Sequence, residues 1–287
     1  MNRHARLAGR AYQEALRLRS RMNRRINAPL CPFDLADEMG LEARFTDIPS
    51  LEAMYVNDGA PKILIAADRP PGRQRFSCAH ELGHHIFGHG TLLACFAPSE
   101  PDATLPDAEF IAHAFAGYLL LPKTAVSHAF AIRGWNPRDG VADQFYVVSA
   151  LLGVSFDALV THCEVSLRLL DHRHARALHA EGLPLLRARI AGQEIANSLT
   201  VVDQASLDVA VDLRVGDHLL APPDSAPVNQ ALQIQSVKPT GTLFRACRPG
   251  LSGVQFQPEP TVGVVRIARA GYVGRAVFRH LEDPDYV

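Results

Sequence analysis

Two histidines four residues apart, with a glutamate directly after the first, form the segment that most constrains this chain. The segment is His80-Glu81-Leu82-Gly83-His84, an H-E-x-x-H pattern. On an α-helix, residues four apart lie on one face, so two imidazoles at this spacing can bind one metal ion. Glu81 lies about one position further round the helix, where its carboxylate can reach a metal-bound water. A zinc hydrolase needs this arrangement: two nitrogen ligands, an open coordination position and a carboxylate base.

The flanking sequence predicts a helix around this pattern. Pro70-Pro71-Gly72 precedes it, and Gly88 and Gly90 follow it, as helix boundaries often do. Apolar residues recur at helical spacing at Phe76, Ala79, Leu82, Ile86 and Phe87. The five-residue pattern alone also fits a solvated helix. A buried helix with these polar groups needs a partner for them, and a metal ion is the simplest one.

A third metal ligand must come from another segment. A metzincin would need glycine at position 87 and histidine at position 90, where the chain has Phe87 and Gly90. His89 is one residue out of that register, so the metzincin pattern is absent. The alternative is an acidic ligand on a following helix. Glu109 is well placed for this role, because it begins an apolar run that ends at Pro122.

Four further residues near the motif have alternative roles. His113 lies four residues after Glu109 and could orient it from the second shell, or it could be a core histidine bonded to a backbone carbonyl. Asp102 and Asp107 compete with Glu109 as ligands, but they lie in a proline-rich stretch where solvation is expected. Cys95 could bind zinc as an inhibitory ligand until it is displaced or oxidised. The simpler interpretation of Cys95 is a small buried apolar side chain.

Two sequence blocks resemble the ImmA/IrrE-type zinc peptidases. The first, Arg73 through His84, is similar to Arg-x-Arg/Gln-Phe-x-x-Ala-His-Glu-Leu-Gly-His. The second, Glu109 to Pro122, is similar to Glu-x-x-Ala-Asn-x-Phe-Ala-x-x-Leu-Leu-Met-Pro, and 24 residues separate the blocks. His113 stands where the family usually has asparagine. This departure leaves open whether position 113 orients a ligand or stabilises the developing oxyanion.

The resemblance implies a role for each matched residue and an overall function. His80, His84 and Glu109 would bind Zn²⁺, and Glu81 would be the general base. The fold would be α+β with a zincin-like metallopeptidase core. The activity would be site-specific cleavage of a helix-turn-helix repressor, which would derepress stress, mobile-element or defence genes. Candidate oxyanion donors are His113, Tyr118 and Tyr55.

Composition and chain organisation set the broader expectations. The composition, with 47% apolar and 21% charged residues, is typical of an ordinary globular protein. A net charge of -1 gives no overall attraction to nucleic acid or membrane. The sequence has no N-terminal apolar signal segment, and its five cysteines form no C-x-x-C pair. We therefore expect a cytoplasmic protein with reduced thiols.

Three regions are predicted along the chain. Residues 1–122 would form the peptidase core, and residues 123–183 a helical extension that packs on it. Residues 184–287 would form a β-rich regulatory or substrate-recognition domain, because strand-like segments alternate there with Pro/Gly turns. The His-rich run Asp171–His179 between them is interpreted as a linker surface rather than a second metal site. Core strands are predicted at Glu42–Phe45, Ala53–Val56 and Lys62–Ala66.

The N-terminal segment 2–27 is a predicted helix with eight arginines and one glutamate. It could contact nucleic acid or an acidic partner, or it could be a solvated helix whose apolar side packs inward. An alternative function follows, a DNA-binding or scaffold regulator with a structural metal site, which would also use the helical region 140–165. That region has no basic recognition helix, and a structural metal site has no use for Glu81. Direct nucleic-acid binding is therefore not expected.

Overall fold

The computed structural model describes residues 3–48, 50–91, 107–206, 209–256 and 261–281. The chain forms two compact units. The first contains residues 1–125, 271–278 and 283–287, and the second contains residues 126–270 and 279–282. Within the described ranges the fold combines α-helices with three four-stranded sheets, so the predicted α+β class is confirmed.

The secondary-structure elements are numbered in chain order. The helices are α1 (Arg3–Arg21), α2 (Pro32–Glu38), α3 (Pro71–Ile86), α4 (Asp107–Leu120), α5 (Lys123–Ala131), α6 (Ala142–Leu152), α7 (Phe156–Thr161), α8 (His172–His179) and α9 (Leu183–Ala191). The strands are β1 (Glu42–Thr46), β2 (Ala53–Val56), β3 (Lys62–Ala66), β4 (Leu199–Val201), β5 (Val211–Arg214), β6 (His218–Ala221), β7 (Ala226–Pro227), β8 (Leu232–Lys238), β9 (Gly241–Ala246), β10 (Gly250–Phe256), β11 (Thr261–Ala268) and β12 (Gly274–Arg275). A π-helical turn, His162–Ser166, follows α7.

The sheet of the first unit has the strand order β12-β1-β3-β2. β1 runs parallel to β3, and β2 runs antiparallel to it. Alternate side chains on these strands are buried, as at Ala43 and Phe45 on β1 and Ile63 and Ile65 on β3. This alternation is the period of two that the sequence shows, and the three predicted strands are confirmed.

A late segment of the chain completes this sheet. Gly274 and Arg275 of β12 pair antiparallel with Phe45 and Arg44 of β1. The ring of Tyr272 makes an edge contact with Phe45 at 6.1 Å between centroids. From its position in the sequence, this segment is expected to pair with the other late strands. Its pairing differs because it depends on the exposed edge of β1, which no local pattern around residue 274 reveals.

The arginine-rich helix α1 packs against α4. Its apolar side is buried at Ala11, Ala15 and Leu18, which confirms the inward-packing interpretation. Arg19 is also buried, and burial lowers its pKa to about 10. Its guanidinium donates hydrogen bonds to the carbonyl oxygens of Leu119 (2.8 Å), Arg25 (2.8 Å) and Ala28 (3.0 Å). Arg19 therefore links α1 to α4 and to the loop that follows α1.

The second unit contains helices α6 to α9 and two sheets, with strand orders β5-β11-β10-β7 and β4-β6-β9-β8. Its β-rich part has an apolar core that includes Leu219, Phe244 and Ile267. Strands that alternate with turns are present in this region, as the sequence predicts, for example β8, β9 and β11. Residues 183–191, placed mostly in the β-rich region by sequence, instead form α9.

The His-rich run, interpreted from the sequence as a linker surface, forms α8 within the predicted helical extension. The side chain of Asp171 accepts a hydrogen bond from the backbone N–H of His174 at 2.8 Å and caps the start of α8. Ala175 and Leu178 are buried on the inner side of this helix. The run is amphipathic, but it has few apolar positions among its histidines and arginines. Its sequence pattern therefore gave only a weak indication of a helix.

A helix that crosses a membrane must be long and apolar, a requirement that applies to each helix of the described ranges. No single helix there is both long enough and apolar enough to cross a membrane. The segments Ala142–Leu152 and Phe156–Ser166 meet the criteria of length and composition only when taken together, across a bend of 101°.

Candidate metal centre

Helix α3 carries the H-E-x-x-H pattern with its polar side chains turned inward. Pro71 lies in the first turn, where its missing N–H costs no helical hydrogen bond. His80, Glu81 and His84 are at most 1% exposed. Because the histidines are one helical turn apart, their Nε2 atoms converge to 3.0 Å. The two imidazoles therefore present ring nitrogens to one point.

Helix α4 brings a carboxylate to the same point. The Oε2 atom of Glu109 lies 3.1 Å from Nε2 of His80, and its Oε1 atom lies 3.5 Å from Nε2 of His84. One ligand atom from each residue lies within 4.8 Å of the others, so the three residues could hold a metal ion. The structure thus brings together the three residues that the sequence predicted as ligands.

The two glutamates of the site have opposite electrostatic environments. Hydrogen bonds from His80 and His84 hold the pKa of Glu109 well below its usual range. Burial raises the pKa of Glu81 to about 7, although the nearby His84 and the backbone of Tyr55 favour its charged form. Neither carboxylate oxygen of Glu81 has a hydrogen-bond partner of normal geometry among the described residues. Glu109 is therefore a carboxylate, whereas Glu81 can change protonation near neutral pH.

Two contacts surround the histidines at the end of α3. Nδ1 of His84 lies 2.9 Å from Nδ1 of His89, and the hydroxyl of Tyr55 lies 2.8 Å from Nδ1 of His85. In the sequence, His89 stands out only as a histidine one residue out of the metzincin register, and no local pattern predicts its contact with His84. The one sequence signal for this contact is Gly88, because a glycine in the left-handed conformation after a helix allows the chain to turn back.

The other predicted candidates include His113 and Asp107, whose side chains do not converge with the three candidate ligands. The exposed ring of His113 stands 6.3 Å from that of His80 and 5.0 Å from that of Phe76. Within the described residues it makes no hydrogen bond to Glu109. Asp107 accepts a hydrogen bond from Nε of Arg3 at 2.8 Å, so it is engaged away from the histidines.

The remaining candidates are Tyr118, Tyr55, Cys95 and Asp102. The ring of Tyr118 makes an edge contact with Tyr12 at 5.3 Å between centroids, and the hydroxyl of Tyr55 is occupied by His85. Cys95 and Asp102 lie outside the described residues. The inhibitory role suggested for Cys95 therefore stays a prediction.

The paired helices and their converging His, His and Glu side chains define a candidate metal centre in an α+β protein. The model of the IrrE N-terminal-like domain family, Peptidase_M78, matches residues 27–173. This match spans slightly more than half of the chain and includes all three candidate ligands, so the chain belongs to that family. Membership supports a function of the metallopeptidase type. A comparison with curated proteins found no match.

Proposed function

We propose that this chain is a zinc-dependent endopeptidase in which Glu81 is the general base. The observation that carries the proposal is the position of Glu81. It lies on the same turn of α3 as the candidate ligands, and its buried oxygens have no hydrogen-bond partner of normal geometry among the described residues. Burying such a carboxylate costs free energy. A site that served only to stabilise the fold would gain nothing from it.

The chemical types of the ligand atoms, two imidazole nitrogens and a carboxylate oxygen, support zinc as the metal. Catalytic zinc sites commonly use two histidines and one glutamate, with bonds of about 2.0–2.2 Å. Ligand atoms at tetrahedral positions with such bonds lie about 3.3–3.5 Å apart. The separations between His80, His84 and Glu109 are 3.0, 3.1 and 3.5 Å, so one matches this spacing and two are shorter. When bound, zinc would polarise the scissile carbonyl and make a water molecule more acidic.

The two glutamates would have different roles in the site. Glu109, held as a carboxylate, would balance the charge of the metal and keep the ligand set together. Glu81, whose pKa burial raises to about 7, would take a proton from the attacking water at one of its oxygens. It would then give that proton to the leaving amine. Two carboxylates with pKa values moved in opposite directions are typical of such acid–base sites.

The proposed substrate is a helix-turn-helix transcriptional repressor. Its cleavage would derepress stress, mobile-element or phage-defence genes. Support for this substrate comes from the resemblance of the two sequence blocks to ImmA/IrrE-type peptidases. In the same proposal, the β-rich part of the second unit has a regulatory or substrate-recognition role.

Cleavage assays with three proteins test the proposal. The wild-type chain, Glu81→Gln and His80→Ala are each incubated with the helix-turn-helix repressors encoded beside the gene, and their zinc content is measured. We expect wild type to bind one zinc and cut one repressor at a single bond. Glu81→Gln should keep zinc and lose cleavage, whereas His80→Ala should lose both.

Two outcomes would contradict the proposal. Near wild-type cleavage by Glu81→Gln would exclude the general-base mechanism. A wild-type protein that binds zinc but leaves every tested repressor and generic peptide intact would favour a regulator with a structural metal site. Cleavage of another class of protein would keep the peptidase activity and reject only the repressor as substrate.

A further inference from the structure

His89 contacts the ring nitrogen of His84 that faces away from the candidate metal centre. Nε2 of His84 points to His80 and Glu109, at 3.0 and 3.5 Å. Its other nitrogen, Nδ1, lies 2.9 Å from Nδ1 of His89. Both ring nitrogens of His84 therefore have close neighbours. Nε2 faces the other two candidate ligands, and Nδ1 faces His89.

Metal binding decides which of the two nitrogens of His84 carries the proton. An imidazole that binds a metal through Nε2 must offer the lone pair of that atom, so its proton resides on Nδ1. The Nδ1–H group then needs an acceptor. Because His84 is fully buried, water is poorly placed to be that acceptor, and the facing atom is Nδ1 of His89.

We propose that His89 is a positioning residue for His84. Its Nδ1 accepts the Nδ1–H of His84 and thereby fixes the tautomer and the orientation of the ring for metal binding. Hydrogen bonds of this kind to metal-binding histidines commonly change metal affinity by 10–100-fold. The inference rests on the proposed zinc site, and it assigns to this site a residue outside the H-E-x-x-H pattern.

The end of α3 places the backbone of His89 against His84 as well. Gly88 has a left-handed conformation with φ of 68°. The backbone N–H of His89 donates to the carbonyl oxygen of His84 at 3.0 Å, and the N–H of Gly88 donates to that of His85 at 3.1 Å. These two bonds form a Schellman motif, which turns the chain back over the last helical turn.

A third contact fixes the segment that follows. The Oγ1 atom of Thr91 accepts a hydrogen bond from the backbone N–H of Asn57 at 3.0 Å. Asn57 follows β2 directly, so His89 lies between two anchored points, the end of α3 and the end of β2. A residue held in this way can orient its neighbour without a large loss of side-chain entropy on metal binding.

Two substitutions of similar size test the role of the acceptor. His89→Asn keeps an amide oxygen close to the position of Nδ1, whereas His89→Leu fills similar space without an acceptor. We expect the zinc Kd, measured by competition with a chelator, to stay within about threefold of wild type in His89→Asn. In His89→Leu it should rise about 10–100-fold.

The same pair of substitutions at His85 is the matched control. His85 is also at the end of α3, but its Nδ1 faces Tyr55 rather than a candidate ligand. We expect His85→Asn and His85→Leu to have equal zinc affinities. Thermal unfolding of the metal-free proteins shows whether every variant folds.

Three results would overturn the inference. Wild-type zinc affinity in His89→Leu would show that the contact does not position His84. Equally weak binding by the Asn and Leu variants would show that the acceptor is not what matters at this position. A wild-type protein that binds no zinc would reject the proposed metal site itself, and with it the role of His89.

Discussion

Gly83 on α3 lies directly against Ala112 on α4. A β-carbon at Gly83 would stand 3.0 Å from the Cα of Ala112 and 3.2 Å from both its Cβ and its carbonyl oxygen. Gly83 lies between the two histidines, and Ala112 lies three residues after Glu109. The close approach of the two helices at this point therefore sets the distance from Glu109 to His80 and His84.

Gly83→Ala should push α3 and α4 apart. The nearest atoms are backbone, which cannot move aside as the tip of a flexible side chain can. We expect the free energy of unfolding to fall by about 1–3 kcal/mol, as overpacking does elsewhere, and zinc affinity to fall with it. Urea unfolding and chelator competition measure the two effects.

Gly9→Ala is the control for this substitution. Gly9 is also a helical glycine, on α1, but a β-carbon there would meet no atom within 4 Å. Alanine should stabilise the helix by roughly 0.5–1 kcal/mol, without effect on zinc affinity. If Gly83→Ala behaved in the same way as Gly9→Ala, the close approach would not hold the site together.

Zinc should stabilise the protein against heat through Glu109. A ligand that binds only the folded state at about a thousandfold excess over its Kd adds about 4 kcal/mol to stability. We expect zinc to raise the Tm of wild type clearly and that of Glu109→Gln far less. Asp107→Asn is the matched control, because Asp107 begins the same helix but pairs with Arg3. An equal rise in all three proteins would exclude Glu109 as a ligand.

Glu81 should make the metal-free protein less stable as pH rises. Its pKa is about 7 in the folded state against an ordinary 4.5, because burial disfavours the carboxylate. Between these values the folded state holds a proton that the unfolded state releases, so stability falls with rising pH. A difference of this size corresponds to at most about 3 kcal/mol.

Glu81→Gln should remove this dependence, since glutamine does not ionise. Urea unfolding of both metal-free proteins at pH 5 and pH 8 measures it. The stability of wild type should decrease relative to Glu81→Gln between the two values. Glu109 is present in both proteins, so its contribution to the comparison cancels. Parallel pH profiles would show that Glu81 is not buried as a neutral acid.

Arg19 should contribute to stability far more than the other arginines of α1. Arg19→Met would leave the carbonyl oxygens of Leu119, Arg25 and Ala28 without the guanidinium that they contact. We expect a loss of about 3 kcal/mol in the free energy of unfolding. Arg17→Met, which breaks an exposed ion pair with Glu14, should cost less than about 1 kcal/mol. Similar losses in the two variants would contradict the structural role of Arg19.

The sequence alone was sufficient for the local parts of the site. The positions of His80, Glu81 and His84 relative to one another follow from the 3.6-residue period of a helix. The strands β1 to β3 follow from an alternation of apolar residues that is equally local. Glu109 was found because its block resembles the family pattern, and its apolar run predicted the helix that carries it.

The tertiary structure decided how these local parts meet. The 3.1 Å contact between Glu109 and His80 depends on the packing of two helices at Gly83, and β12 depends on the open edge of β1. The contact of His89 with His84 requires the left-handed turn at Gly88. Local periodicity fixes which residues share a face of one element. Contacts between elements depend on side-chain volume, backbone turns and free strand edges, which have no such period in the sequence.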